Sequence, residues 1–244
     1  MAHTSLAPVV PPASADTAAE PSVVRSAVNA VSHVLGVAAV MAAFEQLKDA
    51  FPFHSDSSQD DSDVVPVSSG PGFFARGQFL SVRPLTADDS VLLDEFLSTG
   101  LSDESRRMRF LVEQPHVSAA AVDYLAARDG RDRVALVALT PDSSAIVGMV
   151  EYALAPNAGP ESLPEVALAV ADAWQGAGVG KMLVKMLATL SIAGGYPVWE
   201  ASMLDGNAGS RATLECVGHV TAAGRDADVV TVHVALDPDR IAVS

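Results

Sequence analysis

The feature that most constrains the fold is one continuous unit: the β-type run EVALAVAD at 165–172, the glycine-rich WQGAGVG at 174–180, and the apolar KMLVKMLATLSIA at 181–193. A period-2 run that gives way to 3.6-residue periodicity reads as a strand turning directly into a helix, here expected over 179–193. The first N–H groups of a helix have no intrahelical partner and its dipole favours negative charge there, so glycines at that turn suit an anion. Spacing narrows the choice. A P-loop needs glycine at 175 and Ser or Thr at 182, where Gln175 and Met182 stand; a dinucleotide fingerprint starting at Gly176 needs a third glycine at Lys181, although Glu200 lies where a ribose-binding acid would be sought. The spacing that fits is Q-x-x-G-x-G, made by Gln175, Gly178 and Gly180.

At 244 residues the chain has room for one well-buried domain and an appended segment. Its 30 acidic side chains against 15 basic ones give a formal net charge of -15, which argues against nucleic-acid binding and suits a cationic acceptor. The single Cys216 excludes an intrachain disulfide and a clustered zinc site, and His116, His219 and His233 lack metal-ligand spacing; no metal is expected. A reduced, cytoplasmic setting follows as an expectation. No secretory pattern opens the chain, and the longest apolar run, VLGVAAVMAAF at 34–44, is too short for a membrane span.

Residues 1–20, rich in Pro, Ala and Ser, are expected to be disordered. Val24, Val28, Val31 and Leu35 recur at helical spacing, which predicts an amphipathic helix within about 22–50 that packs on the main domain or on a second copy in a homodimer. An acidic Ser/Pro/Gly linker follows at 54–72. The domain boundary is expected near 77, giving an extension over 1–76 and a domain over 77–244. Within that domain the patterns predict strands at 79–85, 133–140, 145–154, 165–171, 198–204 and 229–236, with helices at 86–100, 103–111, 117–128, 179–193 and 208–217. This order implies an α/β (α+β) architecture, a mixed sheet flanked by helices.

The element order and the Q-x-x-G-x-G loop together resemble the GNAT superfamily of N-acyltransferases over most of 79–236. LSDESRRMRF (101–110), VDYLAARDGRDRVALVAL (122–139) and the spacing of Asn207 to Gly218 are similar to the catalytic domains of bacterial protein-lysine acetyltransferases. The resemblance implies a mostly antiparallel GNAT-like sheet and acetyl-CoA as acyl donor. It implies that Leu168, Ala169 and Val170 line the pantetheine arm, that the N–H groups from Gln175 through Gly176, Ala177, Gly178 and Val179 to Gly180 and Lys181 receive the pyrophosphate, and that Asn207 bonds near the pantetheine arm or acetyl end; Asn207 also reads as the N-cap of the following helix, and the two roles are compatible. The acceptor implied is a primary amine, a protein lysine or a small molecule.

An ammonium group must lose a proton before it attacks a thioester, and the resemblance places the base at Glu165, whose burial near Val166 and Leu168 is expected to raise its pKa. Asp205 is a second acid that could face the acceptor, although such a residue is more often a solvated turn carboxylate. Where many members of the superfamily have a tyrosine as general acid, this chain has Leu214, which leaves a catalytically silent acyl-CoA sensor or interaction module as the alternative reading. Arg106, Arg107 and Arg109 read first as a solvated helix face; the alternative is that one of them meets the CoA 3′-phosphate or an acidic acceptor. Tyr124 and Tyr152 are expected to line or underlie the cleft, and Cys216 to pack in the core.

Overall fold

The computed structural model describes residues 71–113, 116–126, 130, 132–155, 158–159 and 161–242. The expected tail, the helix at 22–50 and nearly all of the linker lie outside the described residues. Eight strands form one sheet in the order β1-β2-β3-β4-β5-β6-β8-β7, where β1 is Gly72–Ala75, β2 Gln78–Pro84, β3 Arg133–Leu139, β4 Ile146–Ala153, β5 Glu165–Val170, β6 Val198–Leu204, β7 Gly218–Asp226 and β8 Val229–Leu236. Every neighbouring pair is antiparallel except β5 and β6. Helices α1 (Ser90–Glu95), α2 (Asp103–Phe110) and α3 (Ala119–Ala126) belong to one face; α4 (Val179–Ala193) packs on the other, followed in sequence by α5 (Ala208–Glu215) and the short α6 (Pro238–Ile241). Among the described residues no helix is long and apolar enough to cross a membrane.

Local chemistry accounts for these elements. β3 and β4 are buried almost throughout, as a central strand covered on both faces must be, and their sequences RVALVAL and IVGMVEYA are accordingly apolar on both faces. α4 presents Val179, Leu183, Val184, Met186, Leu187 and Leu190 to the core at helical spacing. It can approach β4 closely because Gly148 has no side chain: a Cβ there would lie 2.9 Å from both Leu183 Cδ1 and Val179 Cγ1. Ser191, wholly buried in the last turn of α4, accepts from Trp199 Nε1 at 2.7 Å and donates to Tyr196 O at 2.8 Å, fixing the return into β6. On the other face Thr86 and Asp89 form a capping box at the start of the first helical turn, and Arg83 holds the Asp89 carboxylate through both of its oxygens.

Two strands depart from the sequence expectation. β1, for which no strand was expected, pairs with β2 and contributes Phe73 and Ala75 to the core, so the sheet begins at Gly72. β7 pairs along the whole of β8, where only a connection out of the 208–217 helix was expected. Both are edge strands. β7 is exposed along most of its length and its HVTAAGRD lacks an apolar alternation; β1 is four residues long.

A chain that starts at Gly77 loses the buried Phe73 and uncovers Leu80, which predicts destabilisation of about 3–5 kcal/mol relative to a chain that starts at Pro71, read from urea midpoints.

Candidate functional site

β4 and β5 form a continuous ladder from Ala153↔Glu165 to Gly148↔Val170, whereas β5 and β6 meet in register only at Glu165↔Glu200. Beyond that pair the two strands diverge and open a cleft of about 640 Å³. The ladder decides which groups face it. Ala171 N–H donates to Val147 O, so by the two-residue alternation Ala169 also turns its backbone toward β4, while Leu168 and Val170 turn their N–H and C=O groups toward the opening. Leu168 therefore offers a backbone donor and acceptor and Val170 a donor to an occupant, the Val170 C=O already accepting from Gln175 Nε2, and Ala169 offers only its methyl group. Opposite them α5 supplies Asn207, Gly209, Ser210 and Thr213. Asn207 is the N-cap of α5, its Oδ1 accepting from Ser210 N at 3.0 Å, and no described residue accepts from its Nδ2.

The wide end of the cleft is closed by the loop into α4. Gly176 and Gly178 have φ of 73° and 85°, a region open to glycine at little cost. Gly180 is different: it lies in the first helical turn, and a Cβ there would make only ordinary contacts with Leu168, Val170 and Thr213. Not every N–H from Gln175 to Gly180 is available. Gln175 N–H donates to Asp172 O and Ala177 N–H to Trp174 O, whereas Val179, Gly180 and Lys181 occupy the first turn, before Met182 N–H makes its bond to Gly178 O. The Gln175 side chain ties the loop to α2: its Nε2 donates to Ser105 Oγ (3.0 Å), Asp172 Oδ1 (3.1 Å) and Val170 O (3.2 Å). Burial disfavours charge on Asp172, yet hydrogen bonds from Ser102 and Ser105 outweigh it and lower its pKa. Ser105, which belongs to the LSDESRRMRF stretch but had no role assigned from the sequence, is thus the link between α2 and the loop.

The acids stand where β5 and β6 are still paired, beyond the residues that line the cleft. Glu165 starts β5 exposed, beside Ala153 of β4 and Glu200 of β6. The rise in pKa expected from burial is present, but Val166 and Leu168 do not cause it: those side chains pack on the α4 side, and strand alternation directs Glu165 to the α2 side. Crowding by protein there raises its pKa above the ordinary 4.5, the Glu200 and Glu151 charges add to the rise, and Arg109 offsets part of it. Glu200 Oε2 in turn lies 3.4 Å from His233 Nε2.

The three arginines of α2 are engaged rather than solvated as a face. Arg106, 7% exposed, donates to Leu97, Ser98 and Leu101 carbonyls and pairs with Asp103. Arg109 forms a buried ion pair with Glu151, and Arg107 lies 3.4 Å from Asp228 in the β7–β8 turn. Asp205 pairs with Arg225 at 2.5 Å. Tyr152 is fully buried and Tyr124 is exposed with Arg133 over its ring, so neither lines the cleft. Leu214 is 2% exposed.

The chain belongs to the acetyltransferase (GNAT) domain family, which matches it over residues 80–220. A curated acetyltransferase of Pseudomonas aeruginosa is 30% identical over 122 residues; the match spans 49% of this chain and 63% of that protein, under two thirds of its length. The crystal structure of the GNAT domain of PAT from S. lividans is similar with a TM-score of 0.61 at 29% identity, covering 68% of this chain and 96% of that one. yncA of Salmonella typhimurium, solved with its cofactor acetyl-CoA, shares the fold with a TM-score of 0.50 at 19% identity over 65% of this chain and 95% of that one.

Removing Glu151 as Glu151→Ala leaves Arg109 buried without its counter-charge, an expected loss of about 3–5 kcal/mol in denaturant unfolding. The paired change Arg109→Met with Glu151→Leu is expected to be far milder.

Proposed function

We propose that this chain is an acetyl-CoA-dependent N-acetyltransferase that acts on a primary amine. The observation that carries this reading is the diverging pair β5 and β6: backbone amides at Leu168 and Val170 open onto a cleft that ends at the unpaired first-turn N–H groups of α4. An extended diamide arm fits the first feature and a diphosphate the second. Five strand steps of ~3.3 Å separate Glu165 from Val170, so the acids and the anion loop stand roughly 17 Å apart, at opposite ends of an elongated donor.

In this reading the donor thioester lies where the strands part, and the amine approaches from the α2 face. Glu165, directly or through water, takes the proton that the ammonium must lose; the neutral nitrogen attacks the thioester carbonyl, the C–S bond breaks, and the second proton that the nitrogen sheds as the amide forms passes to the departing thiolate. Asn207 Nδ2 stands on the α5 wall of the same cleft, available to an acceptor oxygen of the donor. The acids where β5 and β6 are still paired favour a cationic acceptor, a protein lysine or a small amine. A second reading, an acyl-CoA sensor without turnover, is favoured by Leu214, an inert buried side chain at the position of the superfamily's tyrosine.

Two variants test these assignments. Gly178→Asp places a carboxylate beside the α4 N-terminus, where a Cβ meets nothing within 4 Å, and is expected to weaken acetyl-CoA binding at least tenfold by calorimetry, roughly 1.4 kcal/mol. Gly178→Asn, of similar size and tolerant of positive φ, separates charge from backbone strain and is expected to lose less. Unaltered affinity in both would remove the loop from the site.

Glu165→Gln is expected to retain acetyl-CoA affinity while thiol release with an amine panel falls by a factor on the order of 10²–10⁴. A base acts when deprotonated, so wild-type rate should climb as pH rises through a midpoint above 4.5, and the variant should lack that limb. A fully active variant excludes Glu165 as the base; a wild-type protein that binds acetyl-CoA but acetylates no amine favours the sensor.

A further inference from the structure

The geometry points to Arg76, in the turn between β1 and β2, as a positioning residue that holds the Gln175–Gly176 peptide so that the Gly176 N–H faces the diphosphate of the acyl donor. The inference rests on the acyl-CoA reading of the cleft and adds to it an element outside residues 80–220, the span matched by the family.

Three observations carry it. Arg76 and Gly77 form the two-residue connection between β1 and β2, where Ala75 pairs with Gln78, and both have positive φ, 51° and 75°. That is the type I′ hairpin geometry, which asparagine followed by glycine adopts readily and which crowds the Cβ of an arginine. The chain thus tolerates a strained residue where a better turn former exists. From there Arg76 Nη2 donates to Gln175 O at 3.1 Å, across 99 residues of sequence. Arg83, Arg107, Arg109, Arg211, Arg225 and Arg240 each meet a carboxylate; Arg76 meets none among the described residues.

The peptide that Arg76 grips is the central one of a turn. Ala177 N–H donates to Trp174 O, Gln175 has φ −63° and ψ 150°, and Gly176 has φ 73°, the values of a type II turn. The peptide is trans, so its C=O and N–H point in opposite directions: a carbonyl turned toward Arg76 turns the Gly176 N–H away from it. Gly176 lines the cleft, and no described residue accepts its N–H. A rotation of this one peptide converts the turn to type I, and glycine at 176 permits either form. The rotated form would aim the Gln175 carbonyl where the N–H now points and repel an anion. A charge-assisted hydrogen bond to the carbonyl stabilises only the receptive form.

The test uses the full chain with Arg76→Asn, Arg76→Ala and Arg76→Lys. Arg76→Asn suits the hairpin and is expected to leave Tm unchanged or higher, yet to weaken both acetyl-CoA and dephospho-CoA by the same factor, about three- to tenfold. Arg76→Lys keeps a donor and should recover part of the loss. Without ligand, the Gln175 carbonyl and Gly176 amide resonances should move in Arg76→Asn and Arg76→Ala and return toward wild type in Arg76→Lys. Full affinity in Arg76→Asn, unmoved resonances, or a loss confined to acetyl-CoA with dephospho-CoA unaffected would each overturn the proposal, the last because it marks direct contact with the 3′-phosphate. Failure of the wild-type chain to bind either nucleotide would instead sink the acyl-CoA reading, and the ligand-free resonances would still decide whether Arg76 sets the turn.

Discussion

The structure depends on a pairing that stops almost as soon as it starts. Parallel neighbours in a sheet ordinarily continue their hydrogen bonds over several residues, but β5 and β6 meet in register only at Glu165 and Glu200. Each strand is secured on its other side, β5 by six partners on β4 and β6 by seven on β8. The sheet can therefore part in its middle without losing either half. The parting leaves the polar backbone of Leu168 and Val170 without strand partners, a cost that an occupant with amide groups can offset.

Keeping the cleft open requires the helices on both faces to be fixed relative to the strands. On one face α4 is seated by the missing side chain at Gly148 and by the Ser191–Trp199 contact. On the other, α2 is held at three places along one helix: Ser105 to Asp172 and Gln175, Arg109 to Glu151 of β4, and Arg107 to Asp228 of the β7–β8 turn. The buried Arg109–Glu151 pair is the most demanding of these, because a charge removed from water requires its partner. The exposed Arg107–Asp228 pair contributes little energy but links α2 to the half of the sheet beyond the parting.

Much of this was legible in the sequence because the responsible signals are local. Strand β6, strand β8 and helix α4 have the boundaries that periodicity gave them, and Q-x-x-G-x-G located the loop. The two missed strands are the two edges, where one side needs no partner and selection for an apolar alternation is weak: GFFA is too short to show a period, and HVTAAGRD shows none. The misread side chains have a different cause. Periodicity separates two faces of β5 but does not say which helix covers which face, so Glu165 was assigned the company of Val166 and Leu168. The arginines of α2 looked solvated because their partners Glu151 and Asp228 lie 42 and 121 residues away. Arg76 could not be weighed at all before β1 was known, since its role comes from a hairpin that the sequence barely marks.

The same geometry limits the chemistry that can be assigned. Glu165, Glu200 and His233 lie side by side in register across β5, β6 and β8, on the face away from α4. Burial raises the pKa of Glu165 and the Glu200 and Glu151 charges add to the rise, which in the proposed reaction makes Glu165 the better proton acceptor, with Glu200 beside it as a second carboxylate for an ammonium group. A departing thiolate needs less help than an arriving ammonium: a thiol of pKa near 8.5 leaves readily without a proton, whereas an amine of pKa about 10.4 cannot attack with one. In the proposed acetyl transfer, ionisable groups are therefore needed more where the amine arrives, beside Glu165 and Glu200, than where the thiolate departs, an asymmetry that follows the relative difficulty of the two proton transfers.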